Sequence, residues 1–362
     1  MNKTELAIIC FFHNMTGLGN RTMWKIKDEF GSFQNCFEAD RSTLQRSSLS
    51  SPLIEHIITS RGNTDPLAAL EEIYGNDVMV SCVEEDNYPL LLRTIFDPPY
   101  IFYYRGELEI LNEFCLAVVG SRMATNYGKV QARRFGDELS RQGIVVVSGM
   151  ARGIDTEAHR GALEAGGRTA AVLGSGLDII YPPENAKLYN EIKKTGIVLS
   201  EFPLHTHPEP GNFPVRNRII SGLCHGVIVV EAQKKSGALI TADCALEQGR
   251  DVFAIPGPIS SKNSVGTNYL IKQGACLVGG IEDILDEYGM NEKDPSQGEL
   301  IFGLDEDELS VLSNLDYEAV HFDVLMKKTA SRFNIALLNT LLLKMELKGI
   351  IKAMPGNYYV KL

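Results

Sequence analysis

The amino-acid sequence predicts an α/β protein with a doubly wound, mostly parallel sheet, a small helical domain before it and a winged-helix domain after it. The main observation is a series of short apolar runs in the middle of the chain, most of them rich in Val and Ile. These runs are continuous rather than alternating, which is typical of strands buried on both faces of a parallel sheet. Segments with helical patterning, about 10–17 residues long, separate most of the runs, as in successive strand–helix units.

Residues 1–80 lack this rhythm, and we interpret them as a domain of short helices. Polar segments interrupt the apolar ones at 16–20, 31–32 and 46–52. The first of these, continued to Arg21, resembles a helix–hairpin–helix turn, whose backbone amides can hold a DNA phosphate. Residues 1–114 carry 17 acidic and 9 basic side chains, however, so we interpret this turn as a degenerate, structural copy.

Residues 81–290 form the predicted sheet domain. The predicted strands lie within 115–120, 144–149, 169–174, 197–200, 226–232 and 251–257, and most end in Gly or Ser. Helices are predicted between them, for example over 127–142 and 237–249. Acidic and basic side chains balance at 18 each over residues 115–290, so the net charge of −11 does not exclude a nucleic-acid partner for this domain.

The end of the chain is predicted to be a linker followed by a winged helix. The linker covers residues 291–302, because its first part, NEKDPSQG, contains no apolar side chain. Residues 303–362 then show helical periodicity over 305–315, 322–329 and 334–348, followed by two short β-type stretches around Pro355–Gly356. Three helices followed by a small hairpin are typical of a winged helix.

Composition places the chain among ordinary globular proteins. Its 362 residues are 44% hydrophobic and 22% charged. No apolar run reaches the roughly 18 residues that cross a bilayer, and Glu5 interrupts the apolar stretch that a signal peptide would need. The seven cysteines include no CxxC pair, which argues against a disulfide framework and a structural zinc site. We therefore expect a cytoplasmic protein with no membrane association, no metal and no cofactor.

The loops after the predicted strands carry the candidate site, because the carboxyl ends of parallel strands meet at one edge and offer backbone amides to anions. In these loops glycines let the backbone approach a phosphate closely, and Ser and Thr can donate hydrogen bonds. These loops could also be simple turns with no ligand. Four arginines favour phosphate binding instead: Arg122, Arg152, Arg216 and Arg218. The known nucleotide fingerprints are absent: there is no GxxxxGK[ST], and Ile179 replaces the third glycine of a GxGxxG.

Phe213 is the candidate for base recognition. Its neighbours Asn212 and Pro214 are polar or helix-starting, and the sequence Arg-Asn-Arg follows almost at once. An aromatic ring beside guanidinium groups is suited to stacking on unpaired bases. A Phe that plugs a helix N-terminus explains the residue equally well.

The sequence gives less support to an enzymatic or metal-binding site than to phosphate binding. No serine stands in a G-x-S-x-G elbow. Asp155 and His159 have the i, i+4 spacing of acid–base partners, although a helix-starting role for Asp155 is favoured. For His205 and His207 an exposed loop is favoured over a metal pair, since no Cys or carboxylate ligand accompanies them.

The motifs of the sheet domain are GSR (120–122), SGMARGIDTEAH (148–159), GGRTAAVLGSGLDIIYPPEN (166–185), SEFP (200–203), FPVRNRIISGL (213–223), VVEA (229–232), SGALITADCALEQGRDVFAIPG (236–257) and GTNYLIKQGA (266–275). Taken in this order, they closely resemble the DNA-processing protein A family (DprA, also called Smf). The segment 88–106 and the winged-helix pattern are also similar to that family, so the resemblance covers nearly the whole chain.

The resemblance implies a Rossmann-like domain that binds single-stranded DNA, binds double-stranded DNA far less well and forms a homodimer. It also implies a non-enzymatic protein that loads the RecA recombinase on incoming strands during natural transformation. The dimer and RecA surfaces of the family lie toward the second half of the α/β domain.

The resemblance further implies a set of residues that contact single-stranded DNA. They are Gly120, Ser121, Arg122, Ser148, Gly149, Arg152, Gly153, Phe213, Arg216, Asn217, Arg218, Lys235, Ser236, Gly237 and Thr241. Gly120 to Arg122 are expected in a phosphate pocket, and Phe213 with the turn 216–218 is expected to meet bases and backbone. Lys235 stands where an Arg is common, which keeps the charge but loses the forked geometry.

Two other functions stay open. Residues 238–247 are distantly similar to the nucleotide-contacting helix of the Rossmann-like phosphoribohydrolases, with Glu247 as the catalytic carboxylate. The PGGxGT loop of those enzymes is replaced here by Lys-Lys-Ser-Gly-Ala-Leu (234–239). A transcriptional regulator led by the winged helix is the third possibility, but residues 303–362 carry 8 acidic and 7 basic side chains and no basic stripe.

Overall fold

The computed structural model describes residues 1–290, 306–315, 320–330, 332–347, 351–354 and 356–361. The chain divides into two units, residues 1–291 and residues 292–362, and each has its own hydrophobic core. The predicted linker, residues 291–302, lies outside the described residues.

The first part of the chain folds into the short helices that its polar interruptions predict. These helices are α1 (Lys3–His13), α2 (Asn20–Phe30), α3 (Phe33–Glu38), α4 (Arg41–Arg46), α5 (Ser51–Arg61) and α6 (Pro66–Gly75). Several begin at a polar residue whose side chain accepts a hydrogen bond from a first-turn amide, as do Asn2, Ser32, Asp40 and Asp65. Residues 16–19 of the predicted turn lie between α1 and α2, and Asn20 and Arg21 begin α2.

The nine-stranded sheet of residues 1–290 is mostly parallel, as predicted. Its strands are β1 (Met79–Cys82), β2 (Ile101–Gly106), β3 (Cys115–Val119), β4 (Val145–Ser148), β5 (Thr169–Val172), β6 (Ile197–Ser200), β7 (Gly226–Val229), β8 (Asp251–Ala254) and β9 (Cys276–Leu277). Their order is β1-β2-β6-β5-β4-β3-β7-β8-β9, and only β1 and β2 run antiparallel to their neighbours. The predicted domain boundary after residue 80 therefore falls inside β1, and helices of the first 75 residues share a core with the sheet.

Helices cover both faces of the sheet. They are α7 (Leu90–Arg93), α8 (Asn126–Arg141), α9 (Ile154–Glu164), α10 (Ala186–Thr195), α11 (Asn212–Gly222), α12 (Gly237–Glu247), α13 (Val265–Lys272) and α14 (Ile281–Glu287). Alternate residues of β3 belong to two different cores: Ala117 packs with α11 and α12, whereas Leu116 and Val118 pack with α8 and α9. This double burial is why the strand is a continuous apolar run.

One segment differs from its prediction. Residues 213–218, expected as a strand-end loop and turn, lie in helix α11. Pro214 is compatible with the helix because it falls in the first turn, where amide groups have no partner within the helix.

The second unit has the predicted winged-helix elements. They are α15 (Glu306–Leu312), β10 (Val320–His321), α16 (Phe322–Thr329), α17 (Ile335–Leu347), β11 (Ile351–Met354) and β12 (Tyr358–Lys361). The strands form an antiparallel sheet in the order β10-β12-β11. Across the described ranges, no helix combines the length and apolar character that a membrane span requires.

The topology places a crevice at one edge of the large sheet. From β3 the chain adds β4, β5 and β6 on one side, and it then returns to add β7, β8 and β9 on the other. The winding direction therefore reverses between β3 and β7. At such a point the loops after neighbouring strands separate, and open α/β sheets bind their ligands there.

Candidate nucleic-acid interface

A cleft of 540 Å³ lies at this reversal point, between the loop after β3 and the first turns of α11 and α12. We call it the central cleft. Its polar and aromatic lining residues are Ser121, Arg122, Asp155, Tyr181, Phe213, Arg216, Asn217, Gln233, Lys235, Ser236 and Thr241. The structure thus brings together predicted residues from the loops after β3 and β7 and from α11.

A buried arginine forms the floor of the cleft. The Arg216 side chain is 3% exposed and donates hydrogen bonds to the carbonyl oxygens of Gly149, at 2.8 Å, and Val172. Burial lowers the pKa of Arg216 to about 10, and the nearby carboxylate of Asp155 opposes this effect. The guanidinium is therefore cationic at neutral pH and is held in place by the ends of two strands.

The glycine of the second strand-end loop makes room for this guanidinium. A Cβ on Gly149 would lie 2.4 Å from Nη1 of Arg216. Gly153 has a φ of +81°, and a Cβ there would lie 2.4 Å from the carbonyl oxygen of Ser121. We expected these glycines, with Gly120, to admit a phosphate. The structure shows a further reason for glycine at these positions, because protein atoms approach them closely.

Asp155 and His159 are not acid–base partners. The buried Asp155 carboxylate accepts hydrogen bonds from the amides of Gly149, at 3.2 Å, and Ala151, at 3.3 Å. Burial raises its pKa, and Arg216 opposes the rise. His159 is fully buried, with Nδ1 2.7 Å from Oγ1 of Thr169. Asp155 thus orders the loop at the start of α9, which is the role favoured from the sequence.

Phe213 forms one wall of the cleft and is half-buried. Its ring rests against Gly174, where a Cβ would come within 2.9 Å of the ring. The guanidinium carbon of Arg122, an exposed residue, lies 4.6 Å from the ring centroid of Phe213. Phe213 therefore packs against the protein on one side, as the helix-plug alternative requires, and faces a cation and the cleft on another.

The loop after β7 supplies the opposite rim. Lys235 is exposed, and Ser236 accepts a hydrogen bond from the amide of Ala238 at 3.3 Å, which caps α12. Asn217 is buried and its Nδ2 donates to the carbonyl oxygen of Gly237 at 3.2 Å, so that α11 is held against α12. Thr241 is also buried, one turn further along α12.

Five of the predicted site residues do not line the central cleft: Ser148, Gly149, Arg152, Gly153 and Arg218. Ser148 is fully buried, and its hydroxyl donates to the carbonyl oxygen of Val118 at 2.6 Å. Arg218 points to the other side of α11, where Nη2 is 2.5 Å from Oε1 of Glu201. Arg152 borders an adjacent recess and pairs with Glu184. The Ser148 hydroxyl already has a protein partner, and Arg218 is ion-paired with Glu201, although the buried Nη1 of Arg218 has no hydrogen-bond partner among the described residues.

Tyr181 is the aromatic lining residue that the predicted set omitted. Its ring centroid lies 5.8 Å from that of Phe213, with the planes 40° apart. The signal was present in the sequence, because Tyr181 follows the strand-end loop 174–178 and is aromatic, but its contact with Phe213 depends on the fold.

The chemistry of the cleft is that of an anion site. Of the described lining residues, Arg122, Arg216 and Lys235 are cationic and Asp155 is acidic. Glu247, the carboxylate that the hydrolase alternative needs, is the last residue of α12, about 9 Å along the helix beyond Thr241, the last residue of α12 that lines the cleft. In the part of the chain that the structure describes, no group of three or more His, Cys, Asp or Glu side chains could hold a metal ion.

Two family matches cover most of the chain. Residues 79–289 match DNA recombination-mediator protein A, and residues 294–357 match the DprA winged helix domain. Protein Smf of Escherichia coli (strain K12) is 42% identical over 283 residues, which cover 76% of this chain and 75% of that protein. DNA processing protein DprA of Streptococcus pneumoniae is 47% identical over 204 residues, which cover 56% of this chain and 72% of that protein.

Solved structures agree with these matches. The X-ray structure of DprA from Streptococcus pneumoniae superposes with a TM-score of 0.68 at 36% identity and covers 79% of this chain and 98% of its own. DNA processing protein A from Helicobacter pylori, whose structure was solved to study its single-stranded DNA binding mode, gives a TM-score of 0.53 at 32% identity, covering 58% of this chain and 95% of its own. The chain therefore belongs to the DNA recombination-mediator protein A family, the DprA/Smf proteins of DNA processing.

Proposed function

We propose that the protein binds single-stranded DNA in the central cleft, catalyses no reaction on it, and delivers it to the RecA recombinase. Membership of the DprA/Smf family supports the proposal, as does the Helicobacter pylori relative that was studied for its single-stranded DNA binding. The charge and aromatic lining of the cleft supply the physical argument.

One observation carries this proposal: a guanidinium and an aromatic ring lie together at the mouth of the cleft, above a buried cation. The guanidinium carbons of Arg122 and of the buried Arg216 lie 4.6 Å and 6.0 Å, respectively, from the ring centroid of Phe213. Arg122 can reach a phosphate, and the ring or the guanidinium plane can stack on a base. Arg216 raises the local potential without moving.

This arrangement favours unpaired nucleotides. A base inside a duplex stacks on its neighbours and cannot offer its face to a side chain, whereas a base in a single strand can. Phosphate contacts by Arg122 and Lys235, together with the amides at the start of α12, add affinity that does not depend on sequence. The protein should therefore prefer single strands of any sequence to duplexes.

A titration tests the binding. Labelled oligonucleotides of the same sequence, single- and double-stranded, are titrated with the full chain and followed by fluorescence anisotropy. We expect binding of the single strand and much weaker binding of the duplex. Equal affinity for both forms, or binding unchanged in an Arg122→Ala, Phe213→Ala double variant, would contradict the proposal.

The delivery step needs its own assay. We infer from the family that the protein acts as a homodimer and helps RecA to assemble on single strands. RecA filament growth on strands coated with a single-strand-binding protein should start faster when the chain is present, and sedimentation should give the mass of a dimer. A base-release assay with AMP addresses the hydrolase alternative, for which we expect no activity.

A further inference from the structure

A second, smaller recess adjoins the central cleft and has not been assigned a ligand. We call it the Tyr181 recess; it is bounded by Arg152 and Pro182 and shares Arg122, Tyr181 and Phe213 with the central cleft. The ring centroids of Tyr181 and Phe213 are 5.8 Å apart. The two rings therefore form one aromatic surface that leads out of the central cleft.

Each ring of this surface has its own cation. Arg122 lies over Phe213, and the guanidinium carbon of Arg152 is 5.9 Å from the ring centroid of Tyr181. The protein thus presents two neighbouring pairs of an aromatic ring and a guanidinium group. A single strand presents a base and a phosphate at every nucleotide, so two adjacent ring–cation pairs match two successive nucleotides.

The Tyr181 ring is held on a rigid turn. Asn185, four residues later, is buried, and its Nδ2 donates to the carbonyl oxygen of Met150 and to Oγ1 of Thr156, each at 2.9 Å. These bonds fix the turn after Tyr181 to the loop that carries Arg152. A platform that is already ordered loses little conformational freedom when a base stacks on it.

The guanidinium of Arg152 is bound to the carboxylate of Glu184. Nε and Nη2 of Arg152 both donate to Glu184, with Nη2 3.0 Å from Oε2. This two-pronged geometry is the one that a phosphate adopts on the same guanidinium. Both side chains are about half exposed, at 51% and 53%, and an ion pair this exposed stabilises a fold only weakly. A phosphate can therefore replace Glu184.

We propose that the nucleotide next to the one on Phe213 stacks its base on Tyr181 from the central cleft, since the recess itself encloses 20 Å³ and cannot hold a base. The phosphate of this nucleotide binds Arg152 at the rim of the recess, and Arg152 exchanges Glu184 for it. The inference rests on the proposed binding of single-stranded DNA and extends it by one nucleotide subsite. In the absence of DNA, Glu184 occupies the phosphate position.

The first test compares oligothymidylates of increasing length, titrated with the full chain. Tyr181→Leu should weaken binding of the longer oligothymidylates by about tenfold, the effect of losing one stacked base, and should weaken binding of the shortest one by clearly less. Tyr181→Phe keeps the ring and should bind like wild type. An equal loss at every length, or no loss at any length, overturns the proposal.

The second test removes the competing carboxylate. Glu184→Gln should tighten binding of the longer oligothymidylates, and the gain should vanish when Arg152→Ala is added. Glu55→Gln is the matched control, because Glu55 accepts a similar two-pronged, half-exposed contact from Arg41 in the N-terminal helices. If Glu184→Gln binds no more tightly than this control, the exchange of carboxylate for phosphate is wrong.

These outcomes separate the inference from the function on which it rests. If Phe213→Ala weakens binding while the Tyr181 and Glu184 variants behave as wild type, only the second subsite fails. If Phe213→Ala also binds like wild type, the central cleft is not the site and both fail. Thermal melting of each variant identifies any loss of binding that comes from unfolding.

Discussion

Three consecutive polar residues of α11 have three different environments, because successive residues of a helix point about 100° apart. Arg216 forms the floor of the cleft, Asn217 holds α11 against α12, and Arg218 pairs with Glu201 on the far side. A motif with two arginines therefore contributes one guanidinium to the central cleft. The exposed Arg122 and the half-buried Phe213 are better targets for testing binding.

We predict that Arg122→Ala weakens binding of single strands of every sequence alike. It should also reduce the magnitude of the slope of log affinity against log salt by about 0.7, the value for one phosphate contact. Arg46→Ala is the control, since it removes an exposed cation from α4, outside the cleft lining. A slope that stays at the wild-type value in Arg122→Ala would show that this residue does not neutralise a phosphate.

Phe213→Ala should leave the salt slope unchanged, because it removes no charge. It should reduce the binding free energy by about 1–3 kcal/mol, because it removes the ring on which a base stacks. The loss should be smaller on an abasic oligonucleotide, and Phe213→Tyr should restore binding. Because Arg122 lies over this ring, the Arg122→Ala, Phe213→Ala double variant should lose less than the sum of the single losses. Equal losses on abasic and normal strands, with a sharply lower melting temperature, would identify Phe213 as a helix plug only.

Because His159 is buried, we predict that the folded protein loses stability in mild acid. Burial lowers the pKa of His159 from 6.5 to about 3, so between these values the unfolded chain binds a proton that the folded chain does not. The free energy of unfolding should therefore fall, by about 1.4 kcal/mol per pH unit from this residue, as the pH drops below 6.5. Chemical denaturation between pH 7 and pH 5 should give a shallower decline for His159→Gln than for wild type; parallel declines would refute the assignment.

At the scale of elements, the packing of α8 on α9 depends on two glycines. A Cβ on Gly136 would lie 2.3 Å from the carbonyl oxygen of Ala158, and one on Gly161 would lie 2.0 Å from that of Arg133. The two helix backbones are therefore in direct contact. Since α9 begins at the loop that holds Arg216, this contact also sets the position of the cleft floor.

Gly161→Ala should lower the free energy of unfolding by about 1–3 kcal/mol, because the helices must separate to admit the new methyl group. Gly75→Ala, at the end of α6, is the matched control: a Cβ there meets nothing within 4 Å, and alanine favours the helix. The measurement is urea denaturation of both variants. A Gly161→Ala protein as stable as the control would show that the helices do not pack this closely.

For the whole molecule, a separate core in the second unit predicts that the two units fold independently. The core of the second unit, which includes Leu325, Leu338 and Leu342, is composed of residues of that unit. Deleting residues 299–362 should therefore leave a folded protein that still binds single-stranded DNA, as judged by circular dichroism and gel shift. Loss of all binding from a folded truncated chain would place the site in the winged helix.

The sequence by itself determined the architecture and the edge of the sheet that carries the site. Continuous apolar runs report burial on both faces, and the two cores indeed take alternate residues from β3. The motif at Gly120–Arg122 had to lie near the other strand-end loops, because parallel strands end at one edge. Both inferences need only local pattern, since the periodicity of a strand or helix is set within a few residues.

Only the tertiary structure decided what each side chain of the site does. Gly149 and Arg216 are 67 residues apart in sequence, yet the glycine is required because the guanidinium lies against it. Arg218 is removed from the site by Glu201, and Tyr181 joins it through Phe213. Close contacts and ion pairs of this kind depend on how distant segments pack, and hydrophobic periodicity contains no information about them.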